Sequence, residues 1–145
     1  MIYEFCAENV TLLEKAMQAG ARRIELCDNL VVGGTTPSYG VTKAAVELAA
    51  NYDTTIMTMI RPRGGEFVYT DLEIAIMLED IRLTAQAGSQ GVVFGALTAD
   101  KRLDKANLEK LIAASKGMEI VFHMAFDELS DEDQLEAIED RKSVV

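Results

Sequence analysis

Histidine, cysteine, proline and tryptophan are scarce in this chain of 145 residues. It has one histidine, two cysteines, two prolines and no tryptophan. Two cysteines are too few for a disulfide framework, so we expect free thiols. The chain also lacks an apolar run of about 18 residues, the length that a membrane-spanning helix needs. Its first residues have neither the basic start nor the apolar stretch of a signal peptide, and we therefore predict a cytoplasmic protein.

Positive charge is in short supply as well. Lysine and arginine number 14 against 24 aspartates and glutamates, which gives a formal net charge of -10. Nucleic acids and anionic membrane surfaces demand basic patches, so we expect neither as a partner. Hydrophobic residues make up 49% of the chain. At this length that composition predicts a single domain with its own core over residues 1–145.

Short β-rich runs alternate with amphipathic helical patterns, which is typical of βα units and a parallel sheet. We count five units, with strands predicted at 2–6, 23–27, 54–60, 91–95 and 118–123. Their order in the sheet should be 1-2-3-4-5, because consecutive right-handed units give that order. Helices are predicted to begin at the N-cap Asn9, at the capping box from Thr70 to Glu73, and at Ser130.

Alternation within the strands predicts two different faces. One face is apolar and suited to a cover of helices. The other carries mostly charged, sulfur-containing and polar side chains, with one valine among them: Glu4, Cys6, Glu25, Cys27, Met57, Met59, Arg61, Val121 and His123. Burying these charges beneath a second helix layer would be costly unless they were paired. The lumen of a barrel can hold such residues, so the pattern favours an α/β fold of the (β/α) TIM-barrel type.

Two glycine-rich loops follow predicted strands. Arg61-Pro62-Arg63-Gly64-Gly65 comes directly after the third strand, and Gly33-Gly34 lies in the loop after the second. Arginine charge and bare backbone N–H groups at a strand end are suited to binding a phosphate or carboxylate. The alternative is that both loops are only tight turns.

Four ionisable residues lie at or just beyond the ends of strands two, three and five, where barrel enzymes place their catalytic groups. They are Glu25, Arg61, His123 and Asp127. Glu25 or His123 could act as a general base, with Arg61 holding an anionic substrate. The alternative is that the lone histidine has only a structural role.

Sulfur ligands form a further candidate site. Cys6 and Cys27 lie at the predicted ends of adjacent strands and point to one face, with Met57 and Met59 on the same face of the next strand. Soft thiolate and thioether ligands select Cu(I). Free cysteine and methionine are also common core residues, so packing alone is the alternative.

Several segments together resemble the CutC family: residues 24–27, Gly33-Gly34 with 36–38, residues 60–65 with Phe67, residues 91–95 with 97–98, and residues 122–123 with 125–127. The resemblance spans nearly the whole chain and implies a TIM barrel linked to copper homeostasis. Met124 departs from the arginine of many members. The family barrel has eight βα units, so a chain with five is expected to be a C-terminally truncated fragment with open strand edges, through which copies could associate.

Two hypotheses follow. In the first, the chain is a cytosolic CutC-type protein that binds Cu(I) through Cys6 and Cys27. In the second, it is a TIM-barrel enzyme of unassigned reaction that acts on a small phosphorylated or carboxylated substrate. The first hypothesis has the support of the family resemblance, whereas the arginine-rich loop suits the second, because copper does not need it.

Overall fold

Five parallel strands form one sheet in the predicted order β1-β2-β3-β4-β5. The computed structural model describes residues 1–144, with the side chains of residues 1–139. The strands are Glu4–Glu8 (β1), Arg23–Cys27 (β2), Thr55–Met59 (β3), Gly91–Phe94 (β4) and Glu119–Phe122 (β5). The α-helices are Leu13–Gln18 (α1), Tyr39–Ala49 (α2), Asp71–Ala87 (α3), Lys105–Ala114 (α4) and Asp131–Val144 (α5). Within this described part of the chain, no helix combines the length and apolar character needed to span a membrane.

The first strand begins and ends later than predicted. It runs over Glu4–Glu8, because Glu4 pairs with Arg23 and Glu8 with Cys27 in the ladder between β1 and β2. Cys6 is therefore the middle residue of its strand, opposite Glu25, and does not lie at the strand end.

The prediction of a helix N-cap at Asn9 was wrong. Asn9 has a positive φ of 57°, and its N–H donates to the carbonyl of Cys27, which ties the chain to the end of β2. The N-cap position lies three residues later, at Leu12, and the helix itself begins at Leu13.

The other two predicted helix starts are confirmed. The Thr70 side chain accepts a hydrogen bond from the Glu73 N–H, while the Glu73 carboxylate accepts one from the Thr70 N–H. Ser130 likewise accepts a hydrogen bond from the Asp133 N–H at the start of α5. Side chains of this kind satisfy amide groups that the helix itself leaves unpaired.

The sheet has the two faces that the alternation predicts. The helix side is built from two apolar clusters, one around Ile24, Leu26 and Ile56 and the other around Val92 and Phe94. The opposite face holds a cluster of buried residues from three neighbouring strands, namely Cys27, Met57, Met59 and Val93. Polar and sulfur-containing side chains therefore gather on the face that is not covered by α1 to α4.

The sheet has two edges. Within the described residues β1 pairs only with β2, and β5 pairs only with β4. The fold is thus an arc of five βα units, in which all five strands end at the same side. This arrangement places the loops after β2, β3 and β5 next to one another.

Candidate functional site

Cys6, Glu25 and Cys27 form a compact group on β1 and β2. One ligand atom from each residue lies within 4.8 Å of the others. The Cys6 thiol lies 3.6 Å from Oε1 of Glu25, and the Cys27 thiol lies 3.8 Å from the same oxygen, so both can donate to it. Among the side chains that the structure describes, this is the one group of three histidine, cysteine or acidic residues spaced to hold a metal ion.

The pKa values of the two thiols are shifted in opposite directions. A hydrogen bond from Cys27 lowers the pKa of Cys6, whereas the same hydrogen bond, together with burial and the nearby acidic groups, raises the pKa of Cys27. Burial and the charge of Glu4 raise the pKa of Glu25. Cys6 is therefore the first thiolate to form, and it is also the exposed cysteine of the pair.

The glycine loop after β2, which contains Gly33 and Gly34, packs against this group. A Cβ atom at Gly34 would lie 3.0 Å from the sulfur of Cys27 and 3.6 Å from the terminal methyl of Met59. Gly34 also has a φ of +91°, a conformation that side chains other than glycine rarely adopt. The loop can approach the sulfur atoms this closely because glycine has no side chain.

Arg61 is buried at the end of β3, with 3% of its surface exposed. Its guanidinium donates to the carbonyl oxygens of Val32 and Gly34 at 2.7 and 2.9 Å, and to that of Gly65 at 2.8 Å. It also lies over the ring of Phe67, with 4.9 Å between the guanidinium carbon and the ring centroid. Arg61 therefore ties the two glycine loops to each other through their backbone.

Arg63 points to a different environment. It pairs with the carboxylates of Glu73 and Glu66 and also donates to the carbonyl of Val68. The pKa of Glu73 is lowered, chiefly by its hydrogen bond with Arg63. With two carboxylates beside it, Arg63 already has the anionic partners that a bound phosphate or carboxylate would otherwise supply.

His123 is buried directly after β5. Its Nδ1 accepts a hydrogen bond from the Ala125 N–H at 3.2 Å, and its ring lies 4.9 Å from that of Phe67. Burial and the positive charge of Arg61 lower the pKa of His123 to about 4. The ring is consequently neutral at neutral pH.

The predicted site residues thus fall into separate groups. Glu25 lies with the two cysteines, Arg61 and His123 share Phe67, and Asp127 is exposed in the short 3-10 helix Met124–Glu128. Gly33 lies beside Arg61, since a Cβ there would be 3.3 Å from its Nη1. Arg61 donates a hydrogen bond to the carbonyl oxygen of Gly65, and Arg63 donates one to that of Gly64. The catalytic and ligand-binding roles remain predictions.

Sequence reasoning missed Tyr69, which is 8% exposed in the segment between the arginine loop and α3. The positive charges of Arg61 and Arg63 oppose the rise in pKa that burial causes in its phenol. The Arg63 guanidinium carbon lies 5.4 Å from the centroid of the Tyr69 ring. Tyr69 lies eight residues after Arg61 and outside any strand, so strand alternation could not have indicated this neighbourhood.

Comparisons with known proteins agree with this architecture. Residues 1–142 match the model of the CutC family. A curated protein named CutC from Enterococcus faecalis is 52% identical over 139 residues, which cover 96% of this chain and 66% of that relative. A crystal structure titled as the putative copper homeostasis protein CutC from Streptococcus agalactiae superposes with a TM-score of 0.92 at 47% identity, covering 96% of this chain and 66% of that one.

A more distant likeness shows the fold alone. A crystal structure of phosphonopyruvate hydrolase has a TM-score of 0.57 at 17% identity and covers 91% of this chain and 48% of that one. The chain spans 66% of the length of the Enterococcus faecalis relative and of the Streptococcus agalactiae structure, in keeping with the five βα units counted in the sequence. The predicted partial (β/α)-barrel fold is confirmed, and the chain belongs to the CutC family.

Proposed function

We propose that this chain acts in cytoplasmic copper homeostasis by binding Cu(I) through Cys6 and Cys27, with Glu25 beside them. The observation that carries the proposal is the convergence of two thiols and one carboxylate within 4.8 Å. Relatives of this chain include a structure titled as a putative copper homeostasis protein. Thiolates are the ligands that Cu(I) prefers, and a soft ligand pair is a better match to it than to Mg²⁺ or Ca²⁺.

The proton chemistry of the group suits metal exchange. Both thiols can donate to Glu25, so the carboxylate is placed to accept one of the two protons that Cu(I) displaces from sulfur, and the other passes to solvent from the exposed Cys6. Cys6 is exposed and is the first to ionise, which makes it the entry ligand for the ion. Cys27 is buried and gives the second sulfur from below the Gly34 loop.

The test is a Cu(I) titration against a chromogenic chelator under reducing conditions. We expect the wild-type chain to take one Cu(I) from the chelator and the C6S/C27S double variant to take none. Glu25→Gln is the matched control, because it keeps both sulfurs and removes only the charge of the carboxylate. It should bind with an affinity lowered by about tenfold, the loss of one interaction with a charged group. Equal Cu(I) affinity in wild type and the double variant would refute the proposal.

The second candidate is an enzyme that acts on a small anionic substrate. The observation in its favour is the pair Arg61 and His123 around Phe67 at the ends of β3 and β5. In that case Glu25 acts as the base and Arg61 binds the anion. Nδ1 of His123 already accepts from the Ala125 N–H, so His123 donates from Nε2 to the substrate. Asp127 is exposed just beyond β5. Binding of phosphorylated and carboxylated metabolites, followed by their turnover in a full-length relative, is the measurement that tests it. A panel in which none binds would remove this candidate.

A further inference from the structure

The buried polar atoms that lack a hydrogen-bond partner lie in one region. Among the side chains that the structure describes there are three such atoms: Nε of Arg61, the hydroxyl oxygen of Tyr69 and Nε2 of His123. All three residues are more than nine-tenths buried. The charge of Arg61 acts on both Tyr69 and His123, so the two lie near its guanidinium. Buried polar atoms are nearly always hydrogen-bonded, so these three unpaired atoms call for a partner.

Each of the three atoms can donate a hydrogen bond, and only the tyrosine hydroxyl can also accept one. Arginine Nε–H can only donate, and a tyrosine hydroxyl can donate. Nδ1 of His123 accepts from the Ala125 N–H, so in the neutral ring the proton is on Nε2. One water molecule could accept at most two of these three hydrogen bonds, whereas a carboxylate or phosphate group can accept all three.

The charge balance points to an anion as well. Arg61 is 3% exposed and forms no ion pair with any described side chain, and its partners are three backbone carbonyls. Arg63, only two residues away, has two carboxylates. A buried positive charge without a counter-charge is costly, so a bound anion at Arg61 would stabilise the fold.

Two glycines let the backbone lie close to these side chains. A Cβ at Gly95 would lie 2.8 Å from Cε1 of His123, and a Cβ at Gly33 would lie 3.3 Å from Nη1 of Arg61. We propose that Arg61, Tyr69 and His123 form a second binding site, separate from the cysteines, for the carboxylate or phosphate group of a small molecule. The site does not depend on the proposed copper function, and the enzyme candidate would require it.

The single histidine of the chain gives a direct probe. In nitrogen-15-labelled protein at pH 7, the Nε2–H signal of His123 is followed while inorganic phosphate or acetate is added at constant ionic strength. We expect a saturable shift with at least one of the two anions, and the arm that responds distinguishes phosphate from carboxylate chemistry. No saturable shift with either anion would overturn the proposal and assign the three donors to buried water.

Tyr69→Phe tests the proposed hydrogen bond at little cost to the protein, because the hydroxyl has no well-formed hydrogen bond within the described chain and interacts only with the neighbouring arginines and Glu73. We expect this variant to bind the responding anion with an affinity about tenfold lower than that of wild type. Tyr3→Phe, at an exposed tyrosine, is the matched control and should leave the affinity unchanged. Equal affinities in both variants would overturn the role of Tyr69. The C6S/C27S variant should bind the anion as wild type does, which separates this result from the outcome of the copper test.

Discussion

The two arginines of the Arg61-Pro62-Arg63 segment look alike in the sequence, but they differ in burial and in hydrogen-bond partners in the structure. Arg61 is buried, donates only to backbone carbonyls and leaves one N–H unpaired, whereas Arg63 is half-buried and pairs with two carboxylates. The difference comes from the part of the fold that each side chain faces. Arg61 points towards the loop after β2, which offers carbonyl groups, and Arg63 points towards the start of α3, where Glu73 completes a capping box.

This contrast shows why an arginine-rich loop is weak evidence for an anion site by itself. Arg63 fits the sequence pattern as well as Arg61 does, yet its charge is already balanced within the protein. What marks Arg61 as a ligand-binding candidate is the absence of an ion-pair partner among the described side chains, together with its burial. Charge becomes informative only when its partners are known.

The largest expected effect on stability is from Arg61→Met, which leaves three carbonyls in the two glycine loops without their donor. Each hydrogen bond from a charged donor contributes about 1.5 kcal/mol or more, and removal of the buried charge offsets part of the loss, so we expect a fall of about 4 kcal/mol in the free energy of unfolding. Urea denaturation followed by circular dichroism measures it. A loss below about 1 kcal/mol would mean that the carbonyls find other partners, and the contrast between the arginines would not hold.

Acidification should have the next largest effect, because His123 lies beside Arg61. The pKa of His123 is about 4 in the folded chain and 6.5 when unperturbed, so the unfolded state binds the proton more readily. Stability contributed by the neutral ring is therefore present above pH 6.5 and is lost as the pH falls from 6.5 towards 4. The difference between these two pKa values corresponds to a loss of about 2 kcal/mol in the free energy of unfolding, once it is reduced for the screening of the ring by solvent.

Unfolding of wild type and His123→Gln at several pH values between 7 and 4 isolates this contribution, because the variant has no histidine. The wild-type stability should fall more steeply than that of the variant over this range. Parallel curves would show that His123 titrates near its unperturbed pKa and that Arg61 does not act on it. A bound anion should flatten the wild-type curve, because negative charge near the ring raises its pKa.

Much of the sheet could be predicted from the sequence, since strand alternation and helix caps are local signals. The order of the strands, the shared face of Cys6, Glu25 and Cys27, and the capping box at Thr70 are confirmed. The start of β1 was predicted too early, because Ile2 looks like a strand residue but is exposed beyond the ladder with β2. Local apolar character does not reveal where pairing with a neighbour begins.

The direction of the arginine side chains could not be predicted. The partners of Arg61 are carbonyl oxygens of Val32, Gly34 and Gly65, and no side-chain chemistry in the sequence indicates which way a loop carbonyl points. Tyr69 was missed for the same reason, because it lies in an irregular segment without periodicity. Loop geometry depends on contacts across the fold, which lie beyond the reach of a pattern along the chain.

The smallest expected effect is that of Arg63→Met, the matched counterpart of Arg61→Met. The Arg63 side chain is 35% exposed, so water can solvate the carbonyls and carboxylates that it leaves behind. Glu73 would keep the hydrogen bonds from the N–H and the hydroxyl of Thr70 and would continue to cap α3. We therefore expect a loss of stability well under half that of Arg61→Met in the same urea titration, and no change in the response of His123 to anions. A loss as large as that of Arg61→Met would show that the outer arginine also holds the loops together, and that burial does not separate the two roles.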